Sequence, residues 1–252
     1  MSIEPGGWPP PPSPAPSPAP RRGYLTVLVP IAVVVALAIA TGIGLVARDA
    51  FANEVPGTPT VATGASSAKN VLDDGAVRIG DPNAKVTVRV VMDLQCPACK
   101  MFEAANGSVL ESAVRDHTAA VEYSVITFLD RASSTQYSSR AGNASFCVAN
   151  SGTEHYQAWL ASMFDKQPEE GGEGLTDAEL ISIAKSAGYT DNAVAQCIVD
   201  RSYDDYLRTK TQAVLAGGVN STPTVTIDGK KVTSNTALMT PGGLAPLLPK
   251  VS

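Results

Sequence analysis

Charge is scarce in this sequence. Only 17% of its 252 residues are Asp, Glu, Lys or Arg, below the usual quarter for a soluble domain. The deficit is local, because no charge stands between Arg22 and Arg48. From Lys69 onward there are 16 basic and 21 acidic residues, which already gives the chain's net charge of -5. No long basic run exists, so the electrostatic footprint of a nucleic-acid binder is missing. Histidines number two and cysteines four. Four cysteines are too few for a small disulfide-stapled scaffold. No arrangement suggests a Ser-His-Asp triad or a phosphate-binding loop, and the Gly42/Gly44 pair falls inside an apolar run.

What is present divides into four parts. Residues 1–22 form a proline-rich tail, with nine of the nineteen prolines in 1–20. Proline lacks an N–H and fixes φ, so this stretch cannot pack as a helix or a central strand. It reads as a solvated tail, with a ligand for a proline-reading domain as the alternative. Arg21-Arg22 then precede an uncharged run, residues 23–47, rich in Val, Ile, Leu and Ala. As a helix this run reaches roughly 36 Å, enough for a hydrocarbon core of about 30 Å. It is expected to be one transmembrane anchor. The arginine pair before it places the N-terminus in the cytoplasm and the rest of the chain outside the membrane. A cleaved signal peptide ending at Ala50-Phe51-Ala52 is the alternative, and it exports the domain equally. Residues 48–75 are rich in Ala, Gly, Thr, Ser and Pro and read as a flexible linker. The folded domain is expected at 76–252.

Within that domain, Lys85–Leu94 and Val121–Leu129 have the β-rich, nearly continuous apolar character of buried strands. Between them a helix is expected from Cys96, with Pro97 in its first position and a break or kink at Gly107. A helical block occupies about 133–216. Tyr156, Trp159, Leu160, Met163 and Phe164 share one helical face. Thr176-Asp177-Ala178-Glu179 has the form of a capping box, with Gly188 as a stop. Asp191–Asp200 and Tyr203–Leu215 read as two more helices. Thr224–Ile227 and Lys231–Thr233 flank Asp228-Gly229, a type I′ hairpin signal. A short helix over 241–249 closes the chain. This order predicts an α/β sheet with a helical insertion.

The chemistry is concentrated at Cys96-Pro97-Ala98-Cys99, a C-x-x-C at a strand-to-helix junction. A cysteine at a helix N-terminus sits where unpaired N–H groups and the helix dipole favour a thiolate. One turn on, Cys99 is close enough for a tight disulfide, so the pair can cycle by thiolate exchange. Cys96 is expected to be the exposed, attacking thiol and Cys99 the buried resolving one. A zinc half-site would need a second ligand pair, which neither the other cysteines nor His117 and His155 supply. Haem attachment would need histidine after Cys99, where Lys100 stands. A purely structural disulfide is the serious alternative. No metal and no cofactor is expected.

A second signal, Gly218-Val219-Asn220-Ser221-Thr222-Pro223-Thr224-Val225, precedes the hairpin. With MDLQCPACKMFE (92–103), GVNSTPTVTIDG and the intervening helical block, the chain resembles the thioredoxin superfamily. More narrowly it resembles the DsbA-like thiol–disulfide oxidoreductases of actinobacterial type, over about 76–250. The resemblance implies a thioredoxin-like fold with an inserted helical domain, here preceded by one transmembrane helix. It implies that Thr222-Pro223 is a cis bond packed against Cys96, where an extended substrate pairs with Thr222. It also implies disulfide formation in exported cysteine-containing proteins, and reoxidation by a membrane partner, DsbB-like or a vitamin K epoxide reductase homologue. Where strongly oxidising relatives have Pro-His between the cysteines, this chain has Pro97-Ala98. A less stabilised thiolate is therefore expected, and a Cys96 pKa as low as about 3.5 would contradict it.

Asp93 and Glu122 are candidate modulators of the thiol pKa, or else an exposed strand-end carboxylate and an ordinary strand residue. Lys100, His117 and His155 read as ordinary solvated or core-edge residues. With 96 paired to 99, Cys147 and Cys197 are left to each other, and export makes a structural disulfide between them the expectation. Three N-x-S/T matches, at Asn106, Asn143 and Asn220, are discounted as glycosylation sites. Thr222 before the proline keeps an isomerase or reductase open as the rival activity. A redox-inert sensor or binding domain is the rival of another class.

Overall fold

The computed structural model describes residues 70–249. The proline-rich tail, the expected transmembrane run at 23–47 and most of the expected linker lie outside the described residues. Among the described residues no helix is long and apolar enough to cross a membrane.

Five strands form one sheet in the order β1-β3-β2-β4-β5. They are β1 (Val77–Ile79), β2 (Val86–Met92), β3 (Ala119–Val125), β4 (Thr224–Ile227) and β5 (Lys230–Lys231). Only β2 and β3 are parallel, joined through helix α1 (Pro97–Arg115). β1 pairs antiparallel with β3, and β4 antiparallel with both β2 and β5. Period-two alternation assigns the faces. Val88, Val90 and Met92 stand in register with Val121, Tyr123 and Val125, and all are buried. They belong to one core with Cys99, Phe102, Leu110 and Ala113 of α1.

The insertion between β3 and β4 holds five helices: α2 (Tyr137–Ser151), α3 (Tyr156–Asp165), α4 (Asp177–Ser186), α5 (Asn192–Val199) and α6 (Asp204–Ala216). Tyr156, Trp159, Leu160, Met163 and Phe164 on α3 are all buried, as their shared face predicts. Thr176 and Glu179 form the expected capping box. Cys147 on α2 and Cys197 on α5 form a disulfide with a Cα–Cα distance of 5.8 Å. Gly174, at φ +72, brings the loop before α4 so close to Tyr137 that a Cβ there would lie 2.4 Å from the ring.

Several boundaries differ from the sequence-based expectation. Val71 bridges to Val77, Asn70 Nδ2 donates to the Ala149 carbonyl and Asp74 pairs with Arg89. Residues 70–75 thus belong to the folded domain, not to the linker. The expected break at Gly107 is absent: α1 runs unbroken through it. The second strand ends at Val125 instead of Leu129: beyond it the Thr127 N–H turns to the Thr211 hydroxyl at 3.0 Å and the Leu129 N–H to the Asp93 carboxylate at 2.7 Å. The hairpin turn has Asp228 at φ 48 and Gly229 at φ 76, the positive pair of a type I′ turn. The expected helix over 241–249 is replaced by α7 (Asn235–Met239) and a 3-10 turn at Ala245–Leu247. Ser234 caps α7 by accepting from the Ala237 N–H. Pro241 and the following glycines stop it, since proline has no N–H to continue the ladder.

Candidate active site

The site begins where β2 stops. Asp93 is fully buried, and its carboxylate accepts from the N–H of Gln95 at 2.8 Å, the N–H of Leu129 at 2.7 Å and the Ser138 hydroxyl at 2.8 Å. Three segments are thereby clamped to the strand end. The Cys96 N–H donates to the Asp93 carbonyl at 3.0 Å, which completes the turn into α1. Cys96 is the N-cap and Pro97 the first helical residue. Proline is at ease there because its missing N–H would have had no intrahelical partner.

Placement makes the two thiols unequal. Cys99 is fully buried, and burial pushes its thiol well above the ordinary range, with Cys96 adding to the effect. Cys96 is lowered to about 6. The Cys99 thiol contributes most, followed by Thr222 and by the backbone N–H groups of Cys99 and Ala98, against opposition from burial. At pH 7 such a group is about nine-tenths thiolate. Thr222 meets it in two ways. Its side chain favours the thiolate, whereas its carbonyl accepts from Cys96 at 3.5 Å only while the thiol is protonated. The Thr222-Pro223 bond is cis. Cys96 differs from expectation in one respect. It is only 6% exposed, because the loop carrying Thr222 covers the sulfur.

The structure brings Cys96, Cys99, Thr222, Pro223 and Asp93 together. Burial raises Asp93 to about 6, opposed by its three donors, and a thiolate at Cys96 raises it further. The alternative of an exposed strand-end carboxylate is thereby overturned. Glu122 is not part of this group. It is buried in mid-sheet, opposite Arg78 on β1 and Arg89 on β2, and forms ion pairs with both. Arg89 lies three residues before the strand end at Met92, so Glu122 sits roughly 10 Å from the turn to the thiols. Its role is in the sheet, and the expectation that it modulates the thiols is corrected.

Three contributors carry no short-range signal in the sequence. Ser138 and Gln95 complete the shell of Asp93, and Gln167 follows α3. The Gln167 Nε2 donates to the carbonyls of Leu94 at 2.9 Å and Cys96 at 3.1 Å, fixing the active-site turn against the insertion. Lys100 donates to the Asp165 carbonyl. Asn106 and Asn143 are fully buried, with their amides spent on backbone groups, so neither is accessible to glycosylation. Among the described residues no group of three or more His, Cys, Asp or Glu is placed to hold a metal ion.

A family model described as thioredoxin matches residues 72–240. The chain belongs to the thioredoxin family. The serine/threonine-protein kinase PknE of Mycobacterium tuberculosis is 37% identical over 133 residues, which cover 51% of this chain and 23% of the kinase. The chain thus spans about a quarter of the length of the curated relatives it matches. Among solved structures, reduced DsbG of M. tuberculosis, a disulfide bond oxidoreductase, is 32% identical with a TM-score of 0.58, over 64% of this chain and 81% of its own. Reduced DsbA of the same organism is also 32% identical, with a TM-score of 0.56, over 64% of this chain and 86% of its own.

Proposed function

We propose that the protein is a thiol–disulfide oxidoreductase that works outside the cytoplasm and introduces disulfides into exported proteins. The observation that carries this reading is the pairing of a Cys96 held near pKa 6 with a Cys99 pushed far above it, beneath the cis Thr222-Pro223 bond. The likeness to DsbA and DsbG supports it.

The inequality sets the order of events. In the oxidised state a substrate thiolate attacks the Cys96 sulfur, the more accessible of the two. The Cys96–Cys99 bond breaks, a mixed disulfide forms and Cys99 leaves with the electron pair. Cys99 takes up a proton because its burial disfavours charge. A second substrate thiolate then attacks the substrate sulfur of the mixed disulfide, and Cys96 leaves as a thiolate. Low leaving-group pKa speeds this step. Two electrons pass from the substrate to the protein, and its dithiol must be reoxidised. A membrane-bound, quinone-linked partner, DsbB-like or a vitamin K epoxide reductase homologue, fits that need. The uncharged run at 23–47 supports a single-pass anchor that would hold the domain beside such a partner, with the N-terminus cytoplasmic.

The deciding experiment equilibrates the full chain with glutathione redox buffers and reads Cys96 and Cys99 by thiol labelling and mass spectrometry. An oxidase or isomerase gives a potential between about -120 and -180 mV. A value near about -270 mV would assign a reductase. No exchange at any accessible poise would leave a redox-inert binding domain.

A further inference from the structure

Two features unused by the chemistry above meet at one place. Glu103, seven residues along α1 from Cys96, is only 9% exposed, and its Oε2 has no hydrogen-bond partner. Four residues further, mid-helix, stands Gly107, a poor helix former. A Cβ there would lie 2.6 Å from Glu103 Oε1. The glycine makes room for the carboxylate to lie along its own helix instead of swinging out to water. Both residues line a cleft of about 460 Å³ between α1 and α3. Glu111 and Asp165 add two more carboxylates, while Ala158 and Ala161 give it an apolar wall. Gln157 on α3 also lines it, its Nε2 spent on Tyr123 Oη of β3 at 2.9 Å, which leaves the amide oxygen as an acceptor. Lys100 at the rim donates to the Asp165 carbonyl, and among the described residues it forms no ion pair with Glu103. Burial, with Glu111 adding to it, pushes Glu103 up to about 7, as befits a carboxylate without a cation.

We propose that this cleft is a subsite for the cationic side chain, arginine or lysine, of a polypeptide whose cysteine reacts at Cys96. The proposal rests on the oxidoreductase reading above. An organic cation fits better than a metal ion, because no group of three or more metal-ligating side chains stands together among the described residues. The alanine wall suits the methylene stem of a long side chain whose charged end meets the carboxylate. The reach also fits. Seven helical residues span about 10 Å, which an extended peptide covers in about three residues. Lys100, four residues along α1 from Cys96, and Asp165, two residues before the Gln167 that touches the Cys96 carbonyl, line the end of the cleft nearer the thiol in sequence.

The test measures mixed-disulfide formation between the oxidised full chain and single-cysteine peptides. Each carries arginine, or uncharged citrulline of the same shape, three residues to either side of the cysteine. The arginine peptide should react about tenfold faster in one of the two registers, as a hydrogen bond to a buried charge allows. Glu103→Gln should bring the arginine-to-citrulline ratio to about one, and Gly107→Ala, which displaces the carboxylate without removing it, should lower it too. A ratio near one in the unmodified protein, with both peptides reacting, overturns the subsite and leaves the oxidoreductase reading standing. So does a preference that survives both substitutions. If neither peptide reacts, the oxidoreductase reading fails, and calorimetry on the Cys96-alkylated chain decides the cleft. Tighter binding of the arginine peptide sustains a cation site, and equal binding overturns it. N-acetyl-arginine amide binding as tightly as the peptide would overturn the polypeptide assignment in favour of a small guanidinium ligand.

Discussion

Thr222→Val tests the electrostatics of the attacking thiol with little change of shape. Cys96 is held at about 6, and Thr222 is the largest stabilising influence after the Cys99 thiol. Valine removes the side-chain hydroxyl and keeps the carbonyl that accepts from the thiol at 3.5 Å. A hydrogen bond to a charged group contributes about 1.5–3 kcal/mol. Thr222 itself is half-buried, so the low end applies, which corresponds to about one pKa unit. The variant should then titrate near about 7, with about half of its Cys96 ionised at pH 7 instead of about nine-tenths. Ionisation stabilises the reduced state about 11-fold when the pKa is 6 and about twofold when it is 7. The ratio, between five- and sixfold, makes the variant less oxidising by about 20 mV, since each tenfold change is about 30 mV for a two-electron couple. Thiolate absorbance as a function of pH reads the first quantity, and glutathione equilibrium the second. A variant whose Cys96 pKa stays within about 0.3 units of the parent would refute the role given to the Thr222 side chain.

Other expectations follow from the same geometry. Asp93→Asn leaves one of the three donors facing an amide N–H, a cost of about 1–3 kcal/mol, but also removes a buried charge, so urea unfolding should show a larger destabilisation at pH 5 than at pH 7. The parent should show a matching pH dependence. Asp93 folds with its pKa raised to about 6, above an unfolded value of about 3.9. The folded state therefore binds more protons between these values. Its favourable contribution is complete below about pH 4 and is lost as pH rises through 6, a slope that Asp93→Asn should remove. Replacing Cys147 and Cys197 together by Ser should cost about 4 kcal/mol for a loop of 50 residues. Glutathione exchange at Cys96 should persist; its loss would point to a redox role for the second pair. Glu122→Gln weakens ion pairs in mid-sheet and should lower stability without moving the Cys96 titration; a shifted titration would reinstate it as a modulator.

The parts of this structure legible in the sequence are those written by local rules. Proline after Cys96, the Thr176–Glu179 box and the Asp228-Gly229 turn each specify their conformation within four residues, and each is present. The buried strands were legible as apolar runs, although their ends were not. Beyond those ends the chain is held by Asp93, whose partners lie at 95, 129 and 138, and by Thr211, which takes the Thr127 N–H, and these groups meet only in the folded chain. Helix α2 carries Ser138, Gly142, Asn143 and Ser145 in the core, so burial there is not marked by an apolar stripe. Glu122 shows the same limit from the other side. Its neighbours Arg78 and Arg89 are fixed by strand register, which the sequence does not state.

That contrast bears on how the site is divided. The two carboxylates singled out as modulators differ in what neutralises them. Two arginines, Arg78 and Arg89, form ion pairs with Glu122 in the sheet. Among the described residues Asp93 accepts only from N–H and O–H donors and from no cation, and burial holds it near the pH at which Cys96 itself ionises. A charge appearing on Cys96 therefore raises Asp93, and a proton on Asp93 eases ionisation of Cys96. Thiolate formation and protonation of the clamp should be linked, so the Cys96 titration should be broader than a single-site curve. In Asp93→Asn it should sharpen and move to lower pH. A parent curve that already fits one site, unchanged in the variant, would reduce Asp93 to a purely structural clamp.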